Sequence, residues 1–259
     1  MADEWIDVAE ARRRAGLRLV SVKGVASPWS EAAKALLHVK KLPYVRVAHA
    51  AGGANAELVE WTGQNSAPVL AYDNERPRTG WAEILLLLER LAPEPRLVPP
   101  EPAERALLFG LVHELAGELG FGWCRRNHGI HLSATKLPPG PTRDGAEAFG
   151  RKYGYRPEEG ELYARRVREV LALFTERLAA QRARGARYLL GDELTALDLY
   201  WAAFAALLQP LPAADCPMDA GMQAFYTLRD PAQRVPGDEM LLEHRDFIYR
   251  THLELPIRL

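Results

Sequence analysis

The hydrophobic pattern of the chain changes near residue 92. Before that point, short strand-like runs alternate with segments in which apolar residues recur every three or four positions, as on one face of a helix. The predicted strands are Leu17–Val22, 44–48 and Val69–Tyr72. Whether a short fourth strand lies near Arg78 is left undecided by the pattern. The predicted helices are Pro28–Val39, 54–61 and Trp81–Leu91. This alternation predicts a small α/β domain.

After residue 102 only helical periodicity remains. The predicted helices span 103–119, 161–183, 197–208 and 238–252. The segment 197–208 is apolar on nearly every side, which is typical of a buried central helix. Gly and Pro are frequent in 138–160, and this composition predicts a long irregular excursion. The second part of the chain is therefore predicted to be all-α.

Five prolines punctuate the segment 92–102, APEPRLVPPEP, between the two patterns. Proline lacks a backbone N–H and forces the preceding residue out of the helical region, so this segment is predicted to be an extended connector. The predicted organisation is an N-terminal extension (1–16), an α/β domain (17–92), a linker (93–102) and an all-helical domain (103–259). Trp5, Ile6, Val8 and Ala9 suggest that the extension is an amphipathic helix.

Composition narrows the class of protein. The 259 residues include 33 basic and 34 acidic side chains, for a formal net charge of -1, and this balance provides no overall field to attract nucleic acid or an anionic membrane. The balanced net charge does not exclude a local charged patch. The two cysteines cannot form a disulfide framework, and the sequence shows neither a secretory signal nor an apolar run of the ~20 residues that cross a bilayer. We therefore expect a cytoplasmic protein that binds neither nucleic acid nor membrane.

The first candidate for chemistry is Ser27-Pro28-Trp29-Ser30, between the first strand and the first helix of the α/β domain. Serine suits the N-cap and proline the first helical position, so the motif is also compatible with a capped helix and nothing more. In the functional interpretation, the free N–H groups and positive dipole end of this helix stabilise an anion such as a thiolate.

The second candidate is Ser66-Ala67-Pro68-Val69, where a proline opens a strand. Proline has no N–H and cannot donate a hydrogen bond to a neighbouring strand, which leaves two interpretations. Either a cis Ala67–Pro68 bend exposes the Ala67 amide and carbonyl to a ligand, or a trans proline begins an edge strand. Further along, Thr195 and Asp198 resemble a capping box with Asp in place of Glu.

A third cluster lies at 123–131, WCRRNHGIH. Cys124, His128 and His131 have a spacing that zinc ligands can use, but three nearby glycines argue against a rigid helix and no fourth ligand is evident, so we predict no metal site. In a second interpretation, Trp123, Arg126 and His128 line an interdomain cleft and hold an anionic or aromatic co-substrate. Tyr153 and Tyr155 are weaker candidates for that role, and a solvated helix end is the alternative.

Taken in order, these motifs resemble the glutathione transferase family. The resemblance rests on the Ser27 turn, the Ala-Pro-Val-Leu strand start at Ala67, the helix that begins at Trp81, the proline-rich connector and the Gly-Asp-Glu-Leu-Thr-Ala-Leu-Asp box ending at Asp198. It spans about residues 17–208. It implies a thioredoxin-like N-terminal domain, an all-helical C-terminal domain, a homodimer, glutathione as co-substrate on the first domain and a small hydrophobic electrophile between the domains.

Carried over by position, the resemblance assigns roles to individual residues. Ser27 would donate a hydrogen bond to the glutathione sulfur, with Ser30 as the second candidate. The backbone at Ala67 and Pro68 would pair with the cysteinyl unit of glutathione. The substrate-binding residues predicted in the cleft are Trp29, Trp123, Arg126 and His128. Because both 27 and 30 are serine, thiol chemistry by a cysteine at this turn is excluded.

One position departs from the family pattern. Where family members carry an acidic residue followed by serine, this chain has Gly80-Trp81 at the start of the third helix of the domain. The helix N-terminus still accepts the γ-glutamyl carboxylate, and Thr79 offers a hydroxyl nearby. The departure leaves two functions open: a glutathione transferase-like enzyme, or a ligand-binding protein of the same fold that has lost glutathione chemistry.

Overall fold

A computed structural model describes residues 5–259 of the chain. Its one sheet in that part has four strands in the order β1-β3-β2-β4. The strands are β1 (Trp5–Ile6), β2 (Leu17–Val22), β3 (Tyr44–His49) and β4 (Val69–Tyr72). β3 pairs in parallel with β1 and β2, whereas β4 runs antiparallel to β2. Near Arg78, where the sequence left a further short strand undecided, the structure has only an isolated bridge between Arg78 and Leu70.

Four helices accompany the sheet. They are α1 (Val8–Arg13), α2 (Pro28–Val39), α3 (Ala56–Thr62) and α4 (Trp81–Leu91). The predicted bounds of β2, α2, β4 and α4 are confirmed. Gly63 ends α3 because it adopts a left-handed conformation (φ 70°) and its N–H bonds back to Val59, a geometry that a side chain disfavours.

The single helix predicted for the N-terminal extension is wrong in part. Trp5 and Ile6 form β1, and the helix begins only at Val8, while Met1–Glu4 lie outside the described residues. Ile6 is buried in a small cluster with Val20 and Val47 on one face of the sheet. Pairing with the edge of β3 satisfies the backbone of this segment and buries Ile6 at the same time, which an isolated helix does not achieve.

The second half of the described chain is helical. Its α-helices are α5 (Pro102–Ala116), α6 (Phe121–Lys136), α7 (Pro141–Lys152), α8 (Gly160–Ala183), α9 (Ala196–Phe204), α10 (Ala220–Tyr226) and α11 (Glu239–His252). None of the helices within residues 5–259 is both long and apolar enough to span a membrane. The order of an α/β domain followed by an all-helical domain agrees with the predicted fold class.

The irregular excursion predicted over 138–160 is wrong in part, because α7 occupies residues 141–152 of it. Two of the glycines in this segment allow close helix packing. A Cβ on Gly150 would lie 2.9 Å from a side-chain carbon of Ile130, and one on Gly160 would lie 2.3 Å from the ring of His131. Both contacts place the glycine backbone against α6, so glycine is needed for packing rather than for a turn.

One buried cluster joins the two domains. It includes Leu36 of α2 and Leu88 of α4, together with Leu108 of α5 and Leu197 of α9. The central helix α9 packs on α2, α5 and α11, as its apolar pattern predicts. Its residues Ala196–Phe204 are all buried, so the helical domain and the α/β domain share a single core.

The predicted capping box begins α9. The buried Asp198 carboxylate accepts hydrogen bonds from the Thr195 N–H and hydroxyl, both at 3.0 Å. It also accepts the Leu189 N–H at 2.8 Å and lies 2.9 Å from His244 Nε2. The box therefore also connects α9 to the preceding loop and to α11.

Candidate active site

A cavity of about 440 Å³ lies between the two domains. Its α/β-domain wall includes most of the predicted site residues: Ser27, Trp29, Ala67, Pro68, Thr79, Gly80 and Trp81. Its helical-domain wall includes Trp123, Arg126, Tyr153, Met222, Phe225 and Tyr226. A larger cavity of about 610 Å³ lies between α2, β3 and the C-terminal segment, and it contains none of the predicted site residues.

Ser27 occupies the N-cap of α2, but its hydroxyl does not cap the helix. Its N–H donates to the Val25 carbonyl at 2.8 Å and its carbonyl accepts the Glu31 N–H at 2.8 Å, whereas its Oγ has no hydrogen bond to another described residue. The hydroxyl is therefore available at the cavity wall, beside the positive end of the α2 dipole.

The turn before β4 contributes backbone groups to the same cavity. The Ala67–Pro68 peptide bond is cis. Neither the N–H nor the carbonyl of Ala67 takes part in a hydrogen bond between described residues. The structure thus brings the free hydroxyl of Ser27 and a free peptide edge at Ala67 into the lining of one cavity.

The start of α4 uses its own side chain as a cap. One oxygen of the Glu83 carboxylate accepts the N–H of Gly80 at 3.2 Å and that of Thr79 at 3.4 Å, and the other accepts a hydrogen bond from Arg76 at 2.6 Å. The Arg76 hydrogen bond is the largest cause that holds the pKa of Glu83 below its usual value, followed by smaller contributions from the backbone N–H groups. The backbone donors of Thr79 and Gly80 are therefore already engaged.

Trp81 connects α4 to the helical domain. Its ring centroid lies 5.8 Å from that of Phe109 and 5.8 Å from that of Tyr200, whose hydroxyl donates to the Trp81 carbonyl at 3.2 Å. Trp81 lines the cavity and also packs against the shared core. This double contact fixes the ring as a wall between the domains.

Arg126 is enclosed by aromatic rings at the helical side of the cavity. Its guanidinium carbon lies 4.0 Å from the ring centroid of Tyr153, 5.0 Å from that of Trp29 and 5.1 Å from that of Trp123. Its Nε is buried and has no hydrogen-bond partner, and burial lowers its pKa to about 10. We call these three rings with Arg126 the aromatic cage.

Two predicted site residues do not line the cavity, so their predicted roles are corrected. Ser30, the second candidate for the sulfur, is 1% exposed on the buried side of α2, and its Oγ has no partner. His128, predicted to bind substrate, is 7% exposed and its Nδ1 lies 2.6 Å from Nε2 of Gln233. Burial is the main cause that lowers its pKa to about 4.

Of the two weaker candidates, Tyr153 lines the cavity and the buried Tyr155 bonds to His131 instead.

His49 is a further candidate site residue that the sequence analysis missed. It lines the cavity at the last position of β3, is 6% exposed, and has an unpartnered Nδ1. Burial and the charge of Lys152 lower its pKa. The available signal was its place at the carboxyl end of a parallel strand, where ligands of α/β sheets often bind, but the predicted strand ended one residue too early.

The cysteines and histidines of the described part form neither a reactive thiol nor a metal cluster. Burial is the main cause that raises the pKa of Cys124 to about 12 and that of Cys216 to about 11, so both thiols are poorly nucleophilic. Within residues 5–259, no group of three or more His, Cys, Asp or Glu side chains is arranged to hold a metal ion.

Comparison with known proteins identifies the first domain. Residues 24–96 match the family model of the glutathione S-transferase N-terminal domain. No curated protein sequence matches the chain.

Among solved structures, one similar fold is a glutathione S-transferase from Methylobacterium radiotolerans in complex with glutathione sulfonate, with 17% identity, 92% of each chain covered and a TM-score of 0.59. A glutathione S-transferase domain-containing protein from Marinobacter aquaeolei has 17% identity and a TM-score of 0.64 over 90% of this chain and 98% of its own. Maleylacetoacetate isomerase from Anaeromyxobacter dehalogenans, with dicarboxyethyl glutathione and citrate in its active site, has 19% identity and a TM-score of 0.53 over 92% of this chain and 88% of its own. These similarities establish the fold.

Proposed function

By its N-terminal domain and its fold the chain belongs to the glutathione S-transferase superfamily, and from this premise we propose that it transfers the glutathione thiolate to a small electrophile. The observation that carries the proposal is the pairing of a free hydroxyl at Ser27 with a free peptide edge at Ala67 in one cavity. A thiol-containing peptide needs a donor for its sulfur and backbone partners for its main chain, and these two groups offer both.

In the proposed reaction the glutathione S–H loses its proton to solvent. The Ser27 hydroxyl donates a hydrogen bond to the resulting thiolate, and the α2 dipole favours the same charge, so the pKa of the bound thiol falls. The sulfur lone pair then forms a C–S bond with the electrophilic carbon. The electrons of the bond that breaks leave with the departing group or, in an addition, pass to an activating carbonyl that is protonated by solvent. The protein contributes position and charge stabilisation rather than a covalent intermediate.

Replacement of Ser27 tests this role. In Ser27→Ala we expect kcat/KM to fall by about 10- to 100-fold, because one preorganised donor to the developing anion is lost. The pH at which the rate is half-maximal should rise toward the pKa of a free thiol, about 8.5. Steady-state conjugation rates across a pH series, with glutathione affinity measured by calorimetry, separate thiol activation from binding.

Ser30→Ala is the matched control, because Ser30 has the same chemistry three residues away but does not line the cavity. It should leave the pH profile unchanged. A pH profile that moves with Ser30→Ala and not with Ser27→Ala would refute the assignment of Ser27.

The second candidate function, a ligand-binding protein without glutathione chemistry, is favoured by one observation. Glu83 already accepts the Thr79 and Gly80 N–H groups and adds negative charge where a γ-glutamyl carboxylate would approach. Calorimetry distinguishes the two functions: glutathione affinity absent in the millimolar range, beside tight binding of another small molecule, supports this second function.

The homodimer expected from the resemblance stays a prediction, which light scattering on the purified protein tests. The cytoplasmic location also stays a prediction.

A further inference from the structure

We infer that the electrophile carries a carboxylate attached to an aryl body, and that Arg126 in the aromatic cage binds this carboxylate. That this ligand is an electrophile rests on the proposed function. The binding of an aryl carboxylate rests on the geometry of the cage alone.

Arg126 carries a positive charge that its own protein does not neutralise. Within residues 5–259 the structure gives its guanidinium neither a hydrogen bond nor an ion pair. Glu118 is the one carboxylate among the described residues that line the cavity, and it is exposed and makes no ion pair with Arg126. Burial of a cation without a counter-ion is costly, and the lowered pKa of Arg126 is the sign of that cost. An anionic ligand group removes it.

The cage leaves the N–H donors of the guanidinium without a hydrogen-bond partner among the described residues. Trp29, Trp123 and Tyr153 present their rings to the charge, and such rings stabilise a cation without accepting its N–H donors. A guanidinium has five N–H donors in one plane, and none is used here. Two parallel donors on that plane match a carboxylate in a bidentate pair, whereas a neutral carbonyl or halide engages fewer of them.

The cage is fixed relative to the proposed sulfur site. Trp29 lies two residues after Ser27 in the first turn of α2, and its indole Nε1 donates to the Ala116 carbonyl at 2.8 Å. Its ring also meets Phe204 edge-on, with centroids 4.9 Å apart. One rigid ring therefore connects the place where sulfur is activated to the place where the charge is bound.

The remaining wall suits an apolar aryl body. Beside Arg126 the helical side of the cavity is formed by Met222, Phe225, Tyr226 and Leu207. Their surfaces offer dispersion contacts and ring stacking but no second cation. A ligand with one carboxylate and one aryl group can pair its carboxylate with Arg126 and pack its aryl group against these apolar side chains.

A matched pair of electrophiles tests the inference. The probes are 3-benzoylacrylate and its neutral analogue 3-benzoylacrylamide, in which the glutathione sulfur adds to the alkene carbon β to the ketone, the π electrons form the enolate, and solvent returns a proton. In Arg126→Met we expect kcat/KM for the carboxylate to fall about tenfold or more, because a charge-assisted hydrogen-bonded pair is lost. The amide should change by less than about twofold, since it makes no ion pair. Arg126→Lys should retain part of the preference.

Arg187→Met is the control variant. Arg187 lies 4.2 Å over the Phe247 ring, is exposed, and does not line the cavity, so this variant removes the same charge and the same kind of contact elsewhere. It should leave both substrates unchanged. An equal loss for carboxylate and amide in Arg126→Met, or no loss for either, overturns the inference and assigns Arg126 a purely structural role.

A binding measurement without glutathione separates this inference from the proposed function. Calorimetry with 4-phenylbutyrate and 4-phenylbutyramide should show preferential binding of the carboxylate to the wild-type chain and loss of that preference in Arg126→Met. If this preference is found and no conjugation of either electrophile occurs, the inference stands and the proposed transferase function fails. If the wild-type chain binds both compounds equally, the inference fails whatever the enzyme does.

Discussion

Arg126 and His128 lie two positions apart on α6, and the fold gives them opposite surroundings. Residues two apart on a helix point about 200° from each other around its axis, so they cannot share a face. Arg126 therefore reaches the cavity, whereas His128 is buried against Gln233. The sequence grouped both as substrate contacts because it treated the segment as irregular.

The buried His128 predicts a pH dependence of stability. In the folded chain, burial first, then the charges of Arg125 and His131, lower its pKa to about 4 from the usual 6.5. Between these two values the unfolded chain binds a proton that the folded chain does not, so the free energy of unfolding falls as pH drops from 6.5 toward 4. Urea unfolding at several pH values should show a shallower dependence in His128→Gln than in the wild type. Parallel curves for the two proteins would contradict the prediction.

At the scale of elements, glycine in α6 serves packing. Gly122 lies in the first turn of this helix, where an added Cβ would come within 2.4 Å of the Phe204 ring and 2.9 Å of the Trp29 ring. Phe204 belongs to α9 and Trp29 to α2, so one glycine allows three helices to approach each other. The same residue type suggested a flexible segment in the sequence, because glycine has low helix propensity.

Gly122→Ala should therefore lower the free energy of unfolding by about 1–3 kcal/mol, as overpacking of a dense core does. It should also disturb the cavity, since Trp29 forms part of its wall. Gly110→Ala in α5 is the control, because an added Cβ there meets no atom within 4 Å, and the better helix propensity of alanine should stabilise the chain by about 0.5–1 kcal/mol. Equal effects of the two substitutions in chemical denaturation would argue against the packing role of Gly122.

For the whole molecule, the decisive feature is the core that continues across both domains. Leu36 and Leu88 on one side belong to the same buried cluster as Leu108 and Leu197 on the other. Neither domain can expose its side of this cluster without uncovering the other. The cavity that holds the candidate site is bounded by the same pair of domains, so its shape depends on their packing.

We accordingly expect the two domains to unfold in one cooperative transition. Far-ultraviolet circular dichroism, which is dominated by the helical domain, and tryptophan fluorescence should give the same urea midpoint. The calorimetric and van't Hoff enthalpies should also agree. Two separate transitions would show that the domains are energetically independent despite their common core.

The sequence by itself determined the elements whose signals are local. β2, α2, β4 and α4 have the predicted bounds because alternation, helical spacing and the prolines and glycines at their ends act within a few residues. The capping of α9 by Asp198 and the Ser27 position at the start of α2 followed for the same reason.

Only the tertiary structure decided which of the candidate side chains meet. The cage around Arg126 joins Trp29 of α2 to Tyr153 beyond α7, and the occupied donors before α4 depend on how Glu83 folds back on its own helix. β1 likewise forms only because the edge of β3 lies beside it. Contacts between distant segments depend on helix direction and on the space that glycines such as Gly122 leave free. The local pattern of polar and apolar residues determines neither of them.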